Sequence, residues 1–316
     1  MPHINELILS NNNIDGEGIK YLVAVKSAIG LECLRLNGNK LKEEHGHYLI
    51  QFLSNNNVLK YLDLGETDLT NDMFNKMAPA IISSKLVALV ISSIIGYNFK
   101  TYDTATIVRY IFTKNNLLSM LYLRKLQLSD SDVETICSGF KTHPGLKLLD
   151  LSCNNISDIG GGYIVRYLGR NMKMEGLFLS HNRISDGTSY SLSCIVPASN
   201  ISMLDVSYNS ISDNGLVCLL DILQPGYGLC ILLWGNSIGP KCCAKFKTLY
   251  ENGKMSNDKI DVTVGIDESN NIAIDHNPTL DKFRVNYYSI RGRKQDLLCA
   301  TFPFHKITLA NKNIEV

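Results

Sequence analysis

The sequence predicts an α/β solenoid of about nine coils, each made of a short strand and a helix, and two observations support this. Residues 146–160 read LKLLDLSCNNISDIG, where alternate leucines give a strand one apolar face before a turn at Asn154. Segments that align with it recur at intervals of 27 or 28 residues, apart from a single interval of 32. Chance spacing of apolar residues does not keep register over most of a chain, so the repeat is structural.

The first eight units have apolar residues eight, five and three positions before the turn residue, and the weaker ninth unit keeps only the last two, Ile231 and Leu233. The turn residues are Asn12, Asn39, Thr67, Ile94, Leu126, Asn154, Asn182, Asn209 and Asn236. An asparagine side chain at a turn can bond backbone groups of its own bend and of the neighbouring coil. One unit cannot bury its own apolar face, so we expect the coils to stack on one another.

The pattern Leu-x-x-Leu-x-Leu-x-x-Asn-x-Ile resembles a leucine-rich repeat, and a unit of about 28 residues is similar to the ribonuclease-inhibitor subfamily over residues 4–252. The resemblance implies a leucine-rich-repeat solenoid shaped as a horseshoe, with parallel strands on the concave face and helices on the convex face. Spacing favours the same curvature, because strands stack about 4.8 Å apart whereas packed helices need about 8–10 Å.

The helices are expected after the turns. We place them at residues 18–25, 45–53, 160–168 and 241–250 in the coils where the pattern is clearest. Ile-Ser-Asp recurs at 156–158, 184–186 and 211–213, which puts a serine and an aspartate at each helix entry. These residue types are typical of helix caps and of favourable charges at the helix dipole, so we assign them no chemistry.

Coils three to five depart from the pattern. Their turn residues are Thr67, Ile94 and Leu126, and the fourth unit is lengthened by a segment at 95–103. One interpretation is sequence drift in the stable middle of the array. The other is a rim loop that carries Tyr97, Phe99 and Tyr102 as a contact surface.

Three regions follow from the repeat boundaries: a solenoid over 1–252, a capping hairpin over 253–276 with its turn near 270–271, and a flexible basic tail over 277–316. For the basic residues at 291–294 we favour simple solvation in a flexible tail, and the alternative is a weak localisation or anion-binding cluster. The first coil begins at Ile4 without an amphipathic cap. We therefore expect either earlier repeats outside this sequence, which we favour, or an end that meets a partner.

The end of the array carries a second resemblance. Leu-Trp-Gly-Asn at 233–236, a helix with Cys242 or Cys243 and Phe246, and Gly253 ahead of 260–262 are similar to the C-terminal end of the animal leucine-rich-repeat-containing protein 34 family. The resemblance implies an intracellular protein, cytoplasmic or nuclear, with a nucleolar association in some members. The similarity ends near Pro278.

Composition argues against several functions. The chain has 45% hydrophobic residues and a net charge of +1, so the charge points neither to nucleic acid nor to a membrane. Nine cysteines without framework spacing favour reduced thiols. Neither C-x-x-C nor H-E-x-x-H occurs, and no nucleophile is paired with a base. We therefore predict no enzymatic activity, no cofactor, no metal and no small-molecule substrate.

The predicted partner is a protein, of unknown identity, on the concave face. Side chains that alternate with the core leucines are free for recognition there, and aromatic and arginine residues are typical of binding hot spots. The candidate residues are Tyr61, Asp63, Tyr122, Arg124, Asp150, Phe178, His181, Asp205, Tyr208 and Trp234. For the aspartates, the alternative is solubility alone.

Other functions stay open at this point. A partner could use the convex helices or a rim, or the array could be purely architectural. The subfamily resemblance also implies a regulator of an enzyme, of the nuclease-inhibitor or GTPase-activator type, or a structural component of a ciliary assembly. The basic tail counts against the activator, because activators of this type are associated with a strongly acidic segment.

Overall fold

The computed structural model describes residues 4–24, 30–93, 100–143, 145–171, 173–223, 228–253, 259–266, 272–278 and 280. In this part of the chain, nine strands alternate with nine α-helices, and a two-stranded hairpin follows. The strands are β1 Glu6–Ile8, β2 Cys33–Arg35, β3 Tyr61–Asp63, β4 Ala88–Val90, β5 Met120–Tyr122, β6 Leu148–Asp150, β7 Gly176–Phe178, β8 Met203–Asp205, β9 Cys230–Leu232, β10 Val262–Ile266 and β11 Ile272–His276. The helices are α1 Gly16–Ala24, α2 Gly46–Asn55, α3 Asn71–Ser83, α4 Thr101–Lys114, α5 Asp130–Gly139, α6 Asp158–Leu168, α7 Asp186–Ile195, α8 Asp213–Leu220 and α9 Pro240–Glu251.

Strands β1 to β9 form one open, parallel sheet in chain order. Each strand pairs residue for residue with the next, so the middle residues form a single row that begins Leu7, Leu34 and Leu62 and ends at Ile231. From Leu34 onward this row is fully buried between the sheet and the helices. The predicted leucine-rich-repeat solenoid, with strands on the concave face and helices on the convex face, is confirmed.

Helix boundaries differ from the expected ones by one or two residues. Helix α6 begins at Asp158 rather than at residue 160, because Ser157 is its N-cap and accepts a hydrogen bond from the backbone N–H of Ile159. Helix α2 begins at Gly46 after a single 3₁₀ turn, Glu43–His45. The cap role expected for the serines also holds at Ser212, whose side chain accepts from the N–H of Asn214.

The turn asparagines join neighbouring coils as expected. The Nδ2 atom of Asn154 donates to the carbonyl oxygens of Leu151 in its own coil, at 2.8 Å, and of Leu123 in the preceding coil, at 2.9 Å. Its Oδ1 atom accepts from the N–H groups of Leu126 and Leu128, both at 3.1 Å. The same kind of bond to the preceding coil is made by Asn39, Asn182, Asn209 and Asn236. Each asparagine thus satisfies backbone groups that a buried turn would leave unpaired.

The series is interrupted in the middle of the array. Thr67 is buried and its hydroxyl donates to the carbonyl oxygen of Leu64, at 2.6 Å, within its own coil. Leu126 is buried as an apolar side chain. Ile94 lies outside the described residues, as do Tyr97 and Phe99 of the predicted rim loop, whereas Tyr102 is exposed on α4.

The last strand of the sheet is covered by the chain that follows α9. Ile260 forms a parallel bridge with Ile231 of β9. The carboxylate of Asp261 accepts from the backbone N–H groups of Leu233, at 2.7 Å, and of Trp234, at 3.0 Å. These contacts occupy donors that a tenth strand would otherwise take. Strands β10 and β11 then pair antiparallel, and the predicted turn near 270–271 lies outside the described residues.

Candidate functional site

The concave face is built from three columns of side chains on the side of the sheet opposite the leucine row. The first column contains the first residue of each strand, including Cys33, Tyr61, Ala88, Met120, Leu148, Gly176 and Met203. The second column contains the third residue of each strand, including Arg35, Asp63, Val90, Tyr122, Asp150, Phe178 and Asp205. The third column contains the residue two positions beyond each strand, such as Arg124 and Trp234. Alternation along a strand places all three away from the core.

A second apolar cluster fills the centre of the concave face. It consists of Tyr61, Ala88, Val90, Met120, Tyr122, Leu148 and Phe178, and it is separate from the cluster between sheet and helices. Cys33 and Met203 pack against its two ends. Tyr61 and Tyr122 are each 6% exposed and Phe178 is 3% exposed, values comparable with the core. The three predicted rings therefore belong to one packed apolar surface that runs across β3 to β7.

Two arginines lie beside this cluster. The guanidinium of Arg35 lies over the ring of Tyr61, 4.9 Å from its centroid, and its Nε is 3.6 Å from a carboxylate oxygen of Glu6. The Nε of Arg124 is 3.5 Å from a carboxylate oxygen of Asp150, and both side chains are largely buried. A cation on an aromatic face and an ion pair with little solvent access are electrostatically stronger than the same contacts in water.

The aspartates of the second column have a structural role. Asp63, Asp150 and Asp205 are buried, and each carboxylate accepts from the backbone N–H two residues later, at 3.0 Å. This contact bends the chain out of the strand in the manner of an Asx turn. Asp205 also accepts from the hydroxyl of Ser207, at 2.6 Å. Their burial departs from the solubility interpretation considered for this column.

Residues that precede the turn position line one rim of the concave face, and all have a left-handed backbone. The φ angles run from +51° to +81° at Asn11, Gly38, Glu66, Ser93, Lys125, Cys153, His181, Tyr208 and Gly235. The rings of His181 and Tyr208 stack 4.3 Å apart and within 6° of parallel. Both are exposed. A Cβ atom at Gly235 would lie 2.4 Å from Cδ1 of Tyr208, so glycine there lets the Tyr208 ring lie against the next coil.

Trp234 lies in the third column at the last coil and is half-buried. Its ring is 5.3 Å from that of His276 at the end of β11, and its backbone N–H is held by Asp261. The hairpin therefore borders the concave face at this end. Neither His276 nor Asp261 was among the candidates, because contacts between an array and the segment after it leave no periodic signal in the sequence.

The ten candidate residues lie on two adjoining surfaces. Tyr61, Tyr122 and Phe178 share the apolar cluster, with the three aspartates and Arg124 beside it, and His181 and Tyr208 form the stacked pair on the rim. Trp234 is at the hairpin end. Their role in binding stays a prediction.

Thiol chemistry finds little support at this surface. The eight cysteines in the described part of the chain are free thiols. Burial raises the pKa of the Cys153 thiol on the rim, and it raises the pKa of Cys137 and Cys242 to about 12. A raised pKa disfavours the thiolate that nucleophilic or metal-binding chemistry requires. Across the described ranges, no three His, Cys, Asp or Glu side chains are grouped to hold a metal ion. Nor does any helix among them combine the length and apolarity needed to cross a bilayer.

Comparison with known proteins agrees with this architecture. A family model described as Leucine Rich repeat matches residues 1–23, 144–165 and 199–220. Leucine-rich repeat-containing protein 34 of Rattus norvegicus and its counterpart in Mus musculus are each 28% identical to the chain over 158 residues. The match covers 49% of this chain and 38% of each relative, so it spans well under half of those proteins. The nine-stranded parallel sheet and the asparagine series show a leucine-rich-repeat solenoid in the described part of the chain, and the matches show that the chain resembles leucine-rich repeat-containing protein 34 over about half of its length.

Proposed function

We propose that the chain is a non-enzymatic protein-interaction scaffold, and that its partner binds the concave face together with the rim at His181 and Tyr208. The observation that carries the proposal is the second apolar cluster. The core between sheet and helices already holds the coils together, so the cluster on the other side of the sheet is not needed for stacking. An apolar surface flanked by arginines on a rigid scaffold is typical of a binding hot spot.

The rim supplies an accessible edge to this surface. Tyr208 is 38% exposed and is held by His181 on one side and Gly235 on the other. Its left-handed backbone and the stacked ring fix its orientation before any partner arrives. A pre-positioned aromatic side chain loses little conformational entropy on binding, which favours affinity.

Site-specific photo-crosslinking in cells that produce the protein tests the proposal. We would place p-benzoylphenylalanine at Tyr208 on the rim and, as a matched control, at Tyr190 on the convex helix α7, which is 65% exposed. We expect a defined protein adduct from position 208 and not from position 190. The variant Tyr208→Ser combined with His181→Ser should reduce recovery of the same partner at least tenfold, whereas Tyr190→Ser should not.

Two results would contradict the proposal. Capture from position 190 alone would place the partner on the convex helices. Unchanged recovery with the double variant, confirmed as folded by circular dichroism, would remove the rim and the adjoining concave face from the interaction.

A further inference from the structure

We propose that the convex side of the array contains a binding site for a small aromatic anion, that is, a single ring that carries a phosphate or carboxylate group. The site is a cavity of about 250 Å³ between α6 on one side and, on the other, α5 with the 3₁₀ turn Phe140–Thr142 that follows it. The helices lie on the opposite side of the sheet from the concave face, so this ligand and the proposed partner protein do not compete for the same surface.

Helix α5 is close to α4 at its C-terminal end, and the cavity lies on its other side. A Cβ atom at Gly139 would lie 2.8 Å from both the Cα atom and the carbonyl oxygen of Arg109 in α4, so a larger residue would push the two helices apart. Phe140 follows directly, and its ring packs against that of Phe112 in α4, with 4.8 Å between the centroids. The wall of the cavity is therefore held from behind by the helical layer.

The inner wall of the cavity is aromatic. The rings of Phe140 and Tyr167 both line it, and their centroids are 5.0 Å apart. The hydroxyl of Tyr167 accepts a hydrogen bond from Nδ2 of Asn171 at 2.7 Å, and the same Nδ2 donates to the carbonyl oxygen of Leu146 at 2.9 Å. The Cys137 thiol, whose pKa burial raises to about 12, adds a further uncharged surface. A wall whose rings are already fixed suits an aromatic ligand.

Three cationic side chains line the same cavity, those of Lys141, Arg166 and Arg170. Because all three residues are exposed whereas the aromatic wall is buried, the positive charge lies toward the mouth of the cavity. None of the three forms an ion pair within the described chain, unlike Lys147, whose Nζ atom is 3.0 Å from a carboxylate oxygen of Glu175. Guanidinium groups bind phosphate and carboxylate through two parallel hydrogen bonds.

Among the described residues that line the cavity, one is acidic, Glu134. Its carboxylate is close enough to the hydroxyl of Tyr163 to raise the pKa of that phenol. The three cations against this one carboxylate leave the lining with a net charge of +2, which favours an anion. His143 adds no charge near neutral pH, because burial and the charge of Lys173 lower the pKa of its imidazole to about 4. The lining thus combines a positive mouth with an uncharged aromatic interior.

The volume of the cavity sets the size of the ligand. A cavity of about 150 Å³ holds benzene, and drug-sized ligands occupy sites of about 300–1,000 Å³. At about 250 Å³, the cavity admits one ring together with a phosphate or carboxylate group. Such a group occurs both in free small molecules and in the side chain of phosphotyrosine, so the two sources share one chemistry.

Titration of the purified full-length chain, followed by isothermal calorimetry, tests the site with simple probes. We expect phenyl phosphate or benzoate to bind at one site per chain. Binding should be about tenfold tighter or more than that of phenol, which lacks the charge, and of inorganic phosphate or acetate, which lack the ring. N-acetyl-phosphotyrosine amide separates the two sources. Binding tighter than that of phenyl phosphate would indicate a phosphorylated peptide, and equal or weaker binding a free small molecule.

Two variants locate the bound anion. Arg166→Ala combined with Arg170→Ala should weaken binding about tenfold or more through the loss of charge. Ser138→Trp should weaken it as well, because Ser138 lines the cavity and a larger side chain fills it without changing any charge. Arg183→Ala removes an exposed arginine outside the cavity and is the control, which should leave binding unchanged.

Absence of saturable binding by both phenyl phosphate and benzoate would overturn the proposal. Unchanged binding by Ser138→Trp, shown to be folded by circular dichroism, would do the same, since the anion would then bind surface charge alone. If Ser138→Trp does not fold, the double arginine variant decides, because both arginines are exposed and their loss spares the fold. Unchanged binding by that variant would contradict the site.

Discussion

The carboxylate of Asp158 at the start of α6 caps the next helix of the array through Ser185. Its Oδ1 atom accepts from the backbone N–H of Ser185 at 2.8 Å, and it also accepts the N–H and the hydroxyl of Thr188, at 3.1 and 2.6 Å. Asp130, Asp186 and Asp213 make equivalent bonds to the helix one coil later. The N-terminus of each helix from α6 to α9 is therefore capped by a carboxylate from the preceding helix.

Replacement of this carboxylate should cost stability. We expect Asp158→Ala to lower the free energy of unfolding by about 1–3 kcal/mol, because the N–H groups of Ser185 and Thr188 lose their acceptor. Urea unfolding followed by circular dichroism measures the change. Asp72→Ala is the control: Asp72 lies in the first turn of α3 and pairs with Lys76 in an exposed i, i+4 ion pair. A loss no larger than that of the control would show that the bond between coils contributes little.

Two glycines in the same helix should respond oppositely to alanine. A Cβ atom at Gly160 would lie 2.5 Å from Oδ1 of Asp130, which is held by bonds to Ser157, whereas a Cβ at Gly162 meets nothing within 4 Å. We expect Gly160→Ala to destabilise the protein by about 1–3 kcal/mol and Gly162→Ala to stabilise it by up to about 1 kcal/mol. Thermal unfolding of the two variants side by side checks this, and equal melting temperatures would contradict it.

Replacement of the turn asparagine Asn209 should lower the stability of the protein. Its Nδ2 atom donates to the carbonyl oxygens of Leu179 and Val206, both at 3.0 Å, and its Oδ1 accepts from the N–H groups of Asn182 and Ile184, both at 3.2 Å. We expect Asn209→Ala to cost about 2–3 kcal/mol, because buried backbone groups in two coils lose a partner.

The matched control for this change is Asn155→Ala. Asn155 is exposed and its amide oxygen accepts from Arg183 at 3.1 Å, so its loss should cost less than about 0.5 kcal/mol. Equal losses for the two variants in equilibrium unfolding would show that the series does not stabilise the array.

His143 should make stability fall in mild acid. Burial and the nearby charge of Lys173 lower the pKa of its imidazole from 6.5 to about 4. The buried Nε2 atom has no hydrogen-bond partner in the described structure, and the ring packs 4.9 Å from that of Phe112. The unfolded chain therefore takes up the proton first, and the free energy of unfolding should fall as the pH drops from 6.5 towards 4.

The effect should be on the order of 1–2 kcal/mol, since partial solvent access screens the shift. The variant His143→Gln keeps a polar side chain that does not titrate. Its free energy of unfolding should lose this part of the pH dependence between 6.5 and 4 while the remaining acid sensitivity stays. Identical pH profiles for the variant and the original chain would contradict the assignment.

The sequence was sufficient for the features that repeat. Strand and helix order, the leucine row and the bonds of Asn154 to the preceding coil all follow from a pattern that recurs with one period. The sequence predicted only part of the role of the recurring Ile-Ser-Asp motif. Its serines cap their own helices at Ser157 and Ser212, but the aspartate at Asp158 acts on the following coil, and a periodic motif does not indicate which neighbour it contacts.

The sequence predicted less of the candidate site than of the fold. Register places Tyr61, Tyr122 and Phe178 on one face, but their burial depends on how large side chains pack across strands, which alternation along one strand does not specify. The hydrogen bond that the backbone N–H of Trp234 donates to Asp261 joins the array to a non-repeating segment, so the repeat pattern does not predict it.

The left-handed rim restricts how this surface could evolve. A positive φ is costly for residues branched at Cβ, because the branch collides with the backbone there. None of the nine rim residues is valine, isoleucine or threonine. Substitutions that change the binding specificity of this rim are therefore limited to glycine, asparagine and side chains that are aromatic or unbranched at Cβ. This limit holds whatever the chemistry of the molecule to be recognised.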